Sequence, residues 1–307
     1  MNNILISGIT GFVGGNLKEY LQGKYKVTGI SRKSNPEQAI IAYQELSEEN
    51  LNNITAFVHL AGKAHDLKKT ADENEYFEVN TELTKSVFDT FLESKCEVFI
   101  YMSSVKAGAD TVEGVLTEEV APTPVTAYGK SKLAAENYIL SKEIPANKRV
   151  YILRPCMIHG PDNKGNLNLL YGFVSKGIPY PFGKYQNKRS FVSVENLCFI
   201  IHELIENKKI ESGVYNIADD QSISTNELVS IIASTIGKPN RILKTSKFII
   251  NILAKIGDFL PIPINSERLQ KLTENYEVSN DKIIKALQKQ LPLSTKEGIE
   301  KTIKSFN

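Results

Sequence analysis

Short apolar runs alternate with amphipathic ones through the first half of the chain. Ile4 to Ser7, Val27 to Ile30, Ala56 to Leu60, Val98 to Ser103 and Val150 to Leu153 are compact and nearly continuous in hydrophobic residues, the pattern of strands buried on both faces. Between them, Gly14 to Leu21, Thr81 to Ser94 and Ala127 to Ser141 have helical patterning and supply the crossovers that parallel strands require. The expected fold is α/β, a Rossmann-like doubly wound parallel sheet. After Arg154-Pro155 the alternation loosens into a Gly- and Pro-rich stretch from Gly160 to Gly183, and Phe191 to Ile205 resumes a strand-then-helix pattern. Beyond Ile217 the segments Thr225 to Ile236, Phe248 to Ile256 and Asp281 to Gln290 read as helices. The chain thus divides into a larger domain, 1-165 with a return segment 190-215, and a smaller, mostly helical one from 166-189 and 216-307.

Composition narrows the function. The 307 residues are 41% hydrophobic and 23% charged, ordinary for a globular protein and far from disordered or fibrous chains. Lys and Arg number 37 against 35 acidic residues, a net +2 that gives no global attraction to nucleic acid. The longest apolar run, Phe248 to Ile264, is interrupted by Lys255, Asp258, Pro261 and Pro263 and is too short to span a bilayer. It is expected to be a helix plus loop forming a buried wall of the small domain, which outweighs a membrane-surface reading. Cys96, Cys156 and Cys198 are odd in number and far apart, which suits buried thiols and a reducing compartment. With no secretory pattern after Met1, a cytoplasmic location is expected. No metal-ligand spacing links His65, His159 and His202, and His59, within a strand, is expected to be packed rather than catalytic.

Candidate chemistry begins at Gly8-Ile9-Thr10-Gly11-Phe12-Val13-Gly14, between the first strand and the first helix. Glycines there permit a tight turn, close approach of backbone to phosphate and close helix packing, and the helix N-terminus then faces an anion. Spacing of two residues in each gap departs from the commonest dinucleotide fingerprint, but the strand–turn–helix context predicts a nicotinamide dinucleotide. At the tip of the second strand, where a carboxylate would meet an adenosine ribose, stand Ser31, Arg32 and Lys33. A hydroxyl and two cations favour NADP over NAD, against the plainer reading of a solvated basic loop.

Tyr128 and Lys132, four apart in Tyr128-Gly129-Lys130-Ser131-Lys132, project from one helix face. An ammonium beside a phenol is expected to lower its pKa and make it a usable proton donor or acceptor. Met102-Ser103-Ser104 ends a predicted strand, at the sheet edge where doubly wound folds bind ligands.

These motifs together resemble an extended short-chain dehydrogenase/reductase of the NAD-dependent epimerase/dehydratase family, which acts on nucleotide-activated sugars. The resemblance runs through Gly8, Gly11 and Gly14, His59-Leu60-Ala61, Val79-Asn80, the run from Tyr128 to Lys132, and Arg154-Pro155. It implies a catalytic hydroxyl at the strand end. Aligning Phe99-Ile100-Tyr101 chooses Ser104, whereas counting back from Gly108 would choose Ser103; Ser104 is preferred. The resemblance further implies that Ser104 hydrogen-bonds the sugar oxygen, Tyr128 transfers its proton, Lys132 holds the ribose and Asn80 supports the proton relay. Dinucleotide contacts would extend to Leu60, Ala61, Gly62, Ser103, Pro155, Met157 and Ile158. Substrate contacts would come from Lys63, Asn166, Phe182, Arg189 and Arg268, the two arginines as a diphosphate clamp. For Arg268 an ordinary exposed helix position is an equal reading. At two places the chain departs from the family pattern, with Ser193 where a histidine is usual and His159 where a tyrosine is frequent.

Dehydratases of this family carry an Asp-Glu pair after the catalytic hydroxyl, where this chain has Val105 and Lys106. Dehydration is therefore not expected, leaving 4-epimerisation or one-way reduction of a 4-keto sugar. Arg32 and Lys33 tilt the expectation toward NADP-dependent reduction of a UDP-4-keto-6-deoxy-N-acetylhexosamine. A subgroup linked to such sugars has a segment similar to Ser103-Ser104-Val105-Lys106. An NAD-dependent UDP-hexose 4-epimerase is the alternative, and a non-catalytic dinucleotide sensor a remote one. A homodimer is compatible with the sequence.

Overall fold

The computed structural model describes residues 2–63, 72–161, 163, 166–260 and 265–306. His65 and the 261–264 end of the longest apolar run lie outside these described residues.

The strands, in chain order, are β1 (Asn3–Ser7), β2 (Lys26–Ser31), β3 (Ile40–Ala42), β4 (Ala56–His59), β5 (Val98–Met102), β6 (Val115–Leu116), β7 (Arg149–Pro155), β8 (Met157–His159), β9 (Phe191–Ser193), β10 (Gly213–Ile217) and β11 (Glu277–Val278). Among the described residues, seven form one parallel sheet in the order β10-β7-β5-β4-β1-β2-β3. All five strands read from the sequence lie within it. The two edge strands do not announce themselves: β3 has only three residues, and β10 is opened by Gly213 and interrupted by Asn216.

Alternation along each strand decides which side of the sheet a residue serves. Ile4, Ile6, Val58 and Ile100 point into one buried cluster, while Leu5, Phe57, Phe99 and Tyr101 point into another. Both clusters need covering helices, which is why these strands read as unbroken apolar runs. Helices α1 (Phe12–Leu21), α2 (Glu48–Leu51), α3 (Glu73–Phe77), α4 (Leu83–Glu93), α5 (Val105–Gly108), α6 (Ala127–Leu140), α7 (Asn166–Ser175) and α8 (Val194–Glu206) follow the chain. Helix α1 packs beside α8 on the first side and α4 beside α6 on the second. Strand order reverses between β1 and β4, so the crevice at their carboxyl ends is the topological switch point where such sheets bind ligands.

A third apolar cluster, including Tyr180, Phe182, Leu228, Val229, Ile232 and Ile299, gathers α7, α9 (Thr225–Thr235), α10 (Lys247–Gly257), α11 (Ser266–Thr273) and α13 (Thr295–Lys304); α12 (Asp281–Leu287) instead packs against β10. The expectation that the long apolar run forms a buried wall needs correction. Within α10 only Ile250 and Ala254 are buried, while Phe248, Ile249, Ile252 and Leu253 face outward. No helix among the described residues is long and apolar enough to cross a membrane.

Candidate active site

The glycine turn is closed by Gly11 N–H donating to the Gly8 carbonyl at 2.9 Å. Gly8 has φ +68°, which L side chains adopt only with strain. At Gly14 a Cβ would stand 2.2 Å from the Gly8 oxygen, so α1 sits against the turn at a distance only hydrogen allows. Thr10 and Gly11 are exposed at the mouth, with Phe12 and Val13 half-buried behind them. This cradle of bare backbone at a helix N-terminus fits a pyrophosphate.

At the tip of β2, the Ser31 hydroxyl is held in a local turn. It donates to the Lys33 carbonyl at 2.7 Å and accepts from the Lys33 N–H at 3.3 Å. Arg32 and Lys33 are exposed. Across the crevice, Leu60 N–H and Ala61 N–H follow β4 and donate to Ser7, to its carbonyl and hydroxyl respectively. His59 is fully buried, its ring nitrogens 2.7 Å from the Ser7 hydroxyl and 3.0 Å from that of Thr84. Burial, with the Lys132 charge nearby, pushes its imidazole down to about 3, the behaviour of a packed histidine.

Helix α6 presents the tyrosine because its start is fixed. The Asp110 carboxylate accepts from the Val125 and Thr126 N–H groups and from the Thr126 hydroxyl. Thr126 in turn caps the helix by accepting from Gly129 N–H at 3.2 Å. Tyr128 therefore lies in the first turn, beside the strand end of β5. Two adjacent serines there diverge. Ser103 donates to the buried carboxylate of Glu136, whereas the Ser104 hydroxyl caps α5 and hydrogen-bonds Tyr128.

The expected lowering of the phenol pKa by Lys132 is not what the geometry produces. Burial raises the Tyr128 phenol, with the Ser104 hydrogen bond opposing it. Lys132 is itself buried and donates from Nζ to the Met102 carbonyl at 2.8 Å, over the ring of Tyr101. That burial pushes its ammonium down to about 8, against the opposing charge of Glu136.

Asn80 lies in a π-helical turn, Glu78–Glu82, between α3 and α4. Such turns recur at functional sites because they rotate side chains out of the ordinary helical register. Fully buried, Asn80 donates from Nδ2 to the Ser131 hydroxyl at 3.0 Å and accepts from the Lys63 N–H at 2.7 Å. Gly62 closes this corner, for a Cβ there would meet both Asn80 Oδ1 and Lys132 Nζ within 3 Å. Asn80, Gly62, Lys132, Ser104 and Tyr128 thus come together at the switch point. The supports that sequence reading missed are Glu136 and Ser131. Glu136 is legible only as a polar residue one turn beyond Lys132 on the same face.

The proposed substrate contacts are less uniformly placed. The Lys63 ammonium pairs with Glu75. Pro155, Met157 and Ile158 follow one another from the end of β7 into β8. Arg189 is half-buried, bonding the Lys271 carbonyl with Nη1 and standing 3.8 Å from Glu274, and burial lowers its pKa. Phe182 is buried against Tyr180 and Tyr185. Arg268 occupies an exposed position on α11, three residues before Lys271. Asn166 begins α7; its side chain lies outside the described residues.

Residues 4–218 match the model of the NAD dependent epimerase/dehydratase family. The chain belongs to this family. A UDP-glucose 4-epimerase of Vibrio cholerae is 32% identical, over 99% of this chain and 95% of its own length. A GDP-6-deoxy-D-mannose reductase of Pseudomonas aeruginosa is 24% identical over 75% of this chain and 79% of its own. The fold is also that of a UDP-N-acetylglucosamine 4-epimerase from Bacillus cereus, with a TM-score of 0.77 at 19% identity, covering 99% and 98% of the two chains. The chain is accordingly an NAD(P)-dependent enzyme of the family's nucleotide-sugar epimerase and reductase type.

Proposed function

We propose that this enzyme is an NAD-dependent 4-epimerase of a UDP-hexose, of the UDP-glucose or UDP-N-acetylglucosamine type. The observation that carries this reading is the near full-length similarity to the Vibrio cholerae UDP-glucose 4-epimerase. It displaces the one-way reduction favoured by the charge of Arg32 and Lys33. The dinucleotide is held by the turn from Gly8 to Gly14 and by Leu60, Ala61, Gly62, Ser103, Pro155, Met157 and Ile158. When bound, it supplies reversible hydride exchange with the sugar C4. Tyr128 takes the proton from the C4 hydroxyl and returns it, while Ser104 hydrogen-bonds the same oxygen. Lys132 moves to the ribose hydroxyls from its place on the Met102 carbonyl. Asn80 fixes the Lys63 backbone and, through Ser131, the first turn of α6 beside Tyr128. Arg189 and Arg268 meet the diphosphate, with Lys63, Phe182 and Asn166 completing the substrate side. In this reading residues 1-165 and 190-215 bind dinucleotide, and 166-189 with 216-307 bind substrate. The buried free thiols of Cys96, Cys156 and Cys198 suit a reducing, cytoplasmic setting.

A second reading, NADPH-dependent reduction of a UDP-4-keto-6-deoxy-N-acetylhexosamine, draws on the exposed cations Arg32 and Lys33. Against it, the Ser31 hydroxyl is taken up by its own turn. Purified protein is given UDP-glucose without added dinucleotide, and the dinucleotide released on denaturation is identified. The expected result is UDP-galactose, abolished in Tyr128→Phe, with NAD released. NADPH consumption on the 4-keto sugar without UDP-hexose interconversion would establish reduction instead.

A further inference from the structure

Much of the apolar surface of α10 is uncovered among the described residues. Ile249, Leu253 and Ile256 follow one another at helical spacing, a stripe that Leu260 continues because its N–H still bonds the Ile256 carbonyl. Phe248, Ile252 and Phe259 form a second stripe beside it, with Phe248 72% and Phe259 89% exposed. Ile250 and Ala254 are the buried side chains of the helix, Asn251 accepts from the Tyr185 hydroxyl at 3.2 Å, and Phe248 and Ile252 border a cleft shared with Leu269 of α11, while Ile249, Leu253 and Ile256 face away from the fold. Contiguous exposure of this kind marks an interaction site, since isolated surface hydrophobics need no partner.

Charge says what kind. Lys238, Arg241, Lys244, Lys247 and Lys255 are all exposed in and around this segment. No acidic residue occurs between Glu227 and Asp258. The Asp258 carboxylate is itself engaged by Ser266, accepting from its N–H at 2.9 Å and its hydroxyl at 2.6 Å. Five cations against one committed carboxylate give this stretch a local positive field in a chain whose overall charge is only +2. A second copy of the chain docking face to face would oppose these cations to their own kind. A partner that offers apolar depth and negative charge together satisfies both features, and the interface of an anionic lipid layer offers both.

We propose that α10 and the turn to Leu260 are a docking surface for anionic phospholipid, with Phe248 and Phe259 entering the acyl boundary while the lysines meet headgroups. The enzyme would then work as a reversibly membrane-associated protein. The inference is independent of which nucleotide-sugar reaction the active site performs.

The test is sedimentation of the full-length protein with vesicles of phosphatidylcholine mixed with phosphatidylglycerol, and with phosphatidylcholine alone. The expected result is binding to the mixed vesicles that weakens with salt and is much poorer on the neutral ones. Phe248→Ser with Phe259→Ser should lower the partition coefficient by roughly tenfold or more. Lys244→Gln with Lys255→Gln should lower it by about tenfold on anionic vesicles only. Both variants should keep the wild-type turnover in solution, because the four replaced side chains are exposed and none is among the side chains assigned to the site. Absence of vesicle binding, or equal binding by the double Phe variant, overturns the proposal. So does light scattering showing a dimer that the Phe substitutions convert to monomer, which would assign the face to a second copy.

Discussion

Arg154 holds Glu136 beneath the ends of β5 and β7, with Nε 3.0 and 3.1 Å from the two carboxylate oxygens and Nη2 2.5 Å from one of them. Both side chains are buried, and the same carboxylate accepts the Ser103 hydroxyl. Glu136 therefore ties β7, the β5 strand end and α6 together one turn beyond Lys132. Removing one partner strands a buried charge. Glu136→Gln should cost about 3–5 kcal/mol in urea unfolding. Replacing both residues with methionine should recover much of that loss. A double variant as unstable as the single one would show that the stranded charge is not the cause.

The acid limb of stability should depend on His59. Its folded pKa is pushed down to about 3, below the unfolded value of 6.5, because the ring is buried between Ser7 and Thr84. The unfolded chain thus binds a proton that the folded one refuses. The stability contribution is fully present above pH 6.5 and is lost as pH falls from there through 3. His59→Gln should flatten the slope of unfolding free energy against pH between about 6 and 4. An unchanged slope would place the acid sensitivity elsewhere.

Gly14 and Gly15 should respond oppositely to alanine. A Cβ at Gly14 collides with backbone atoms of Gly8 and Ile9, whereas one at Gly15 meets nothing within 4 Å. Gly14→Ala should cost about 1–3 kcal/mol and open the phosphate cradle, measured as weaker dinucleotide binding by calorimetry. Gly15→Ala, inside α1, should gain up to about 1 kcal/mol and leave binding intact. Equal behaviour of the two would refute the close-packing argument.

Arg189 should act on substrate binding ahead of turnover. Its fork is anchored on the Lys271 carbonyl near Glu274, a geometry that an ammonium cannot reproduce. Arg189→Lys should raise KM for the nucleotide sugar by about tenfold or more with a smaller change in kcat. A fall confined to kcat would argue against a diphosphate role.

Much of this molecule is written in local pattern. The five central strands, α1 with its glycine turn, and α6 with Tyr128 and Lys132 follow from hydrophobic period, glycine placement and helical spacing, because those signals act over a few residues. Tertiary packing decided the rest. Ser103 and Ser104 are separated in sequence only by the choice of alignment anchor, whereas in the fold buried Glu136 claims the first hydroxyl and the second caps α5 and meets Tyr128. The direction of Lys132 depends on a carbonyl thirty residues away, at the end of another strand. Edge strands β3 and β10 are too short or too polar to declare themselves and are defined by the partner that pairs with them. The apolar run around α10 looked like core because periodicity records hydrophobic faces without recording what covers them. Only the assembled fold shows that one narrow stripe of that helix is buried and the rest is left outside.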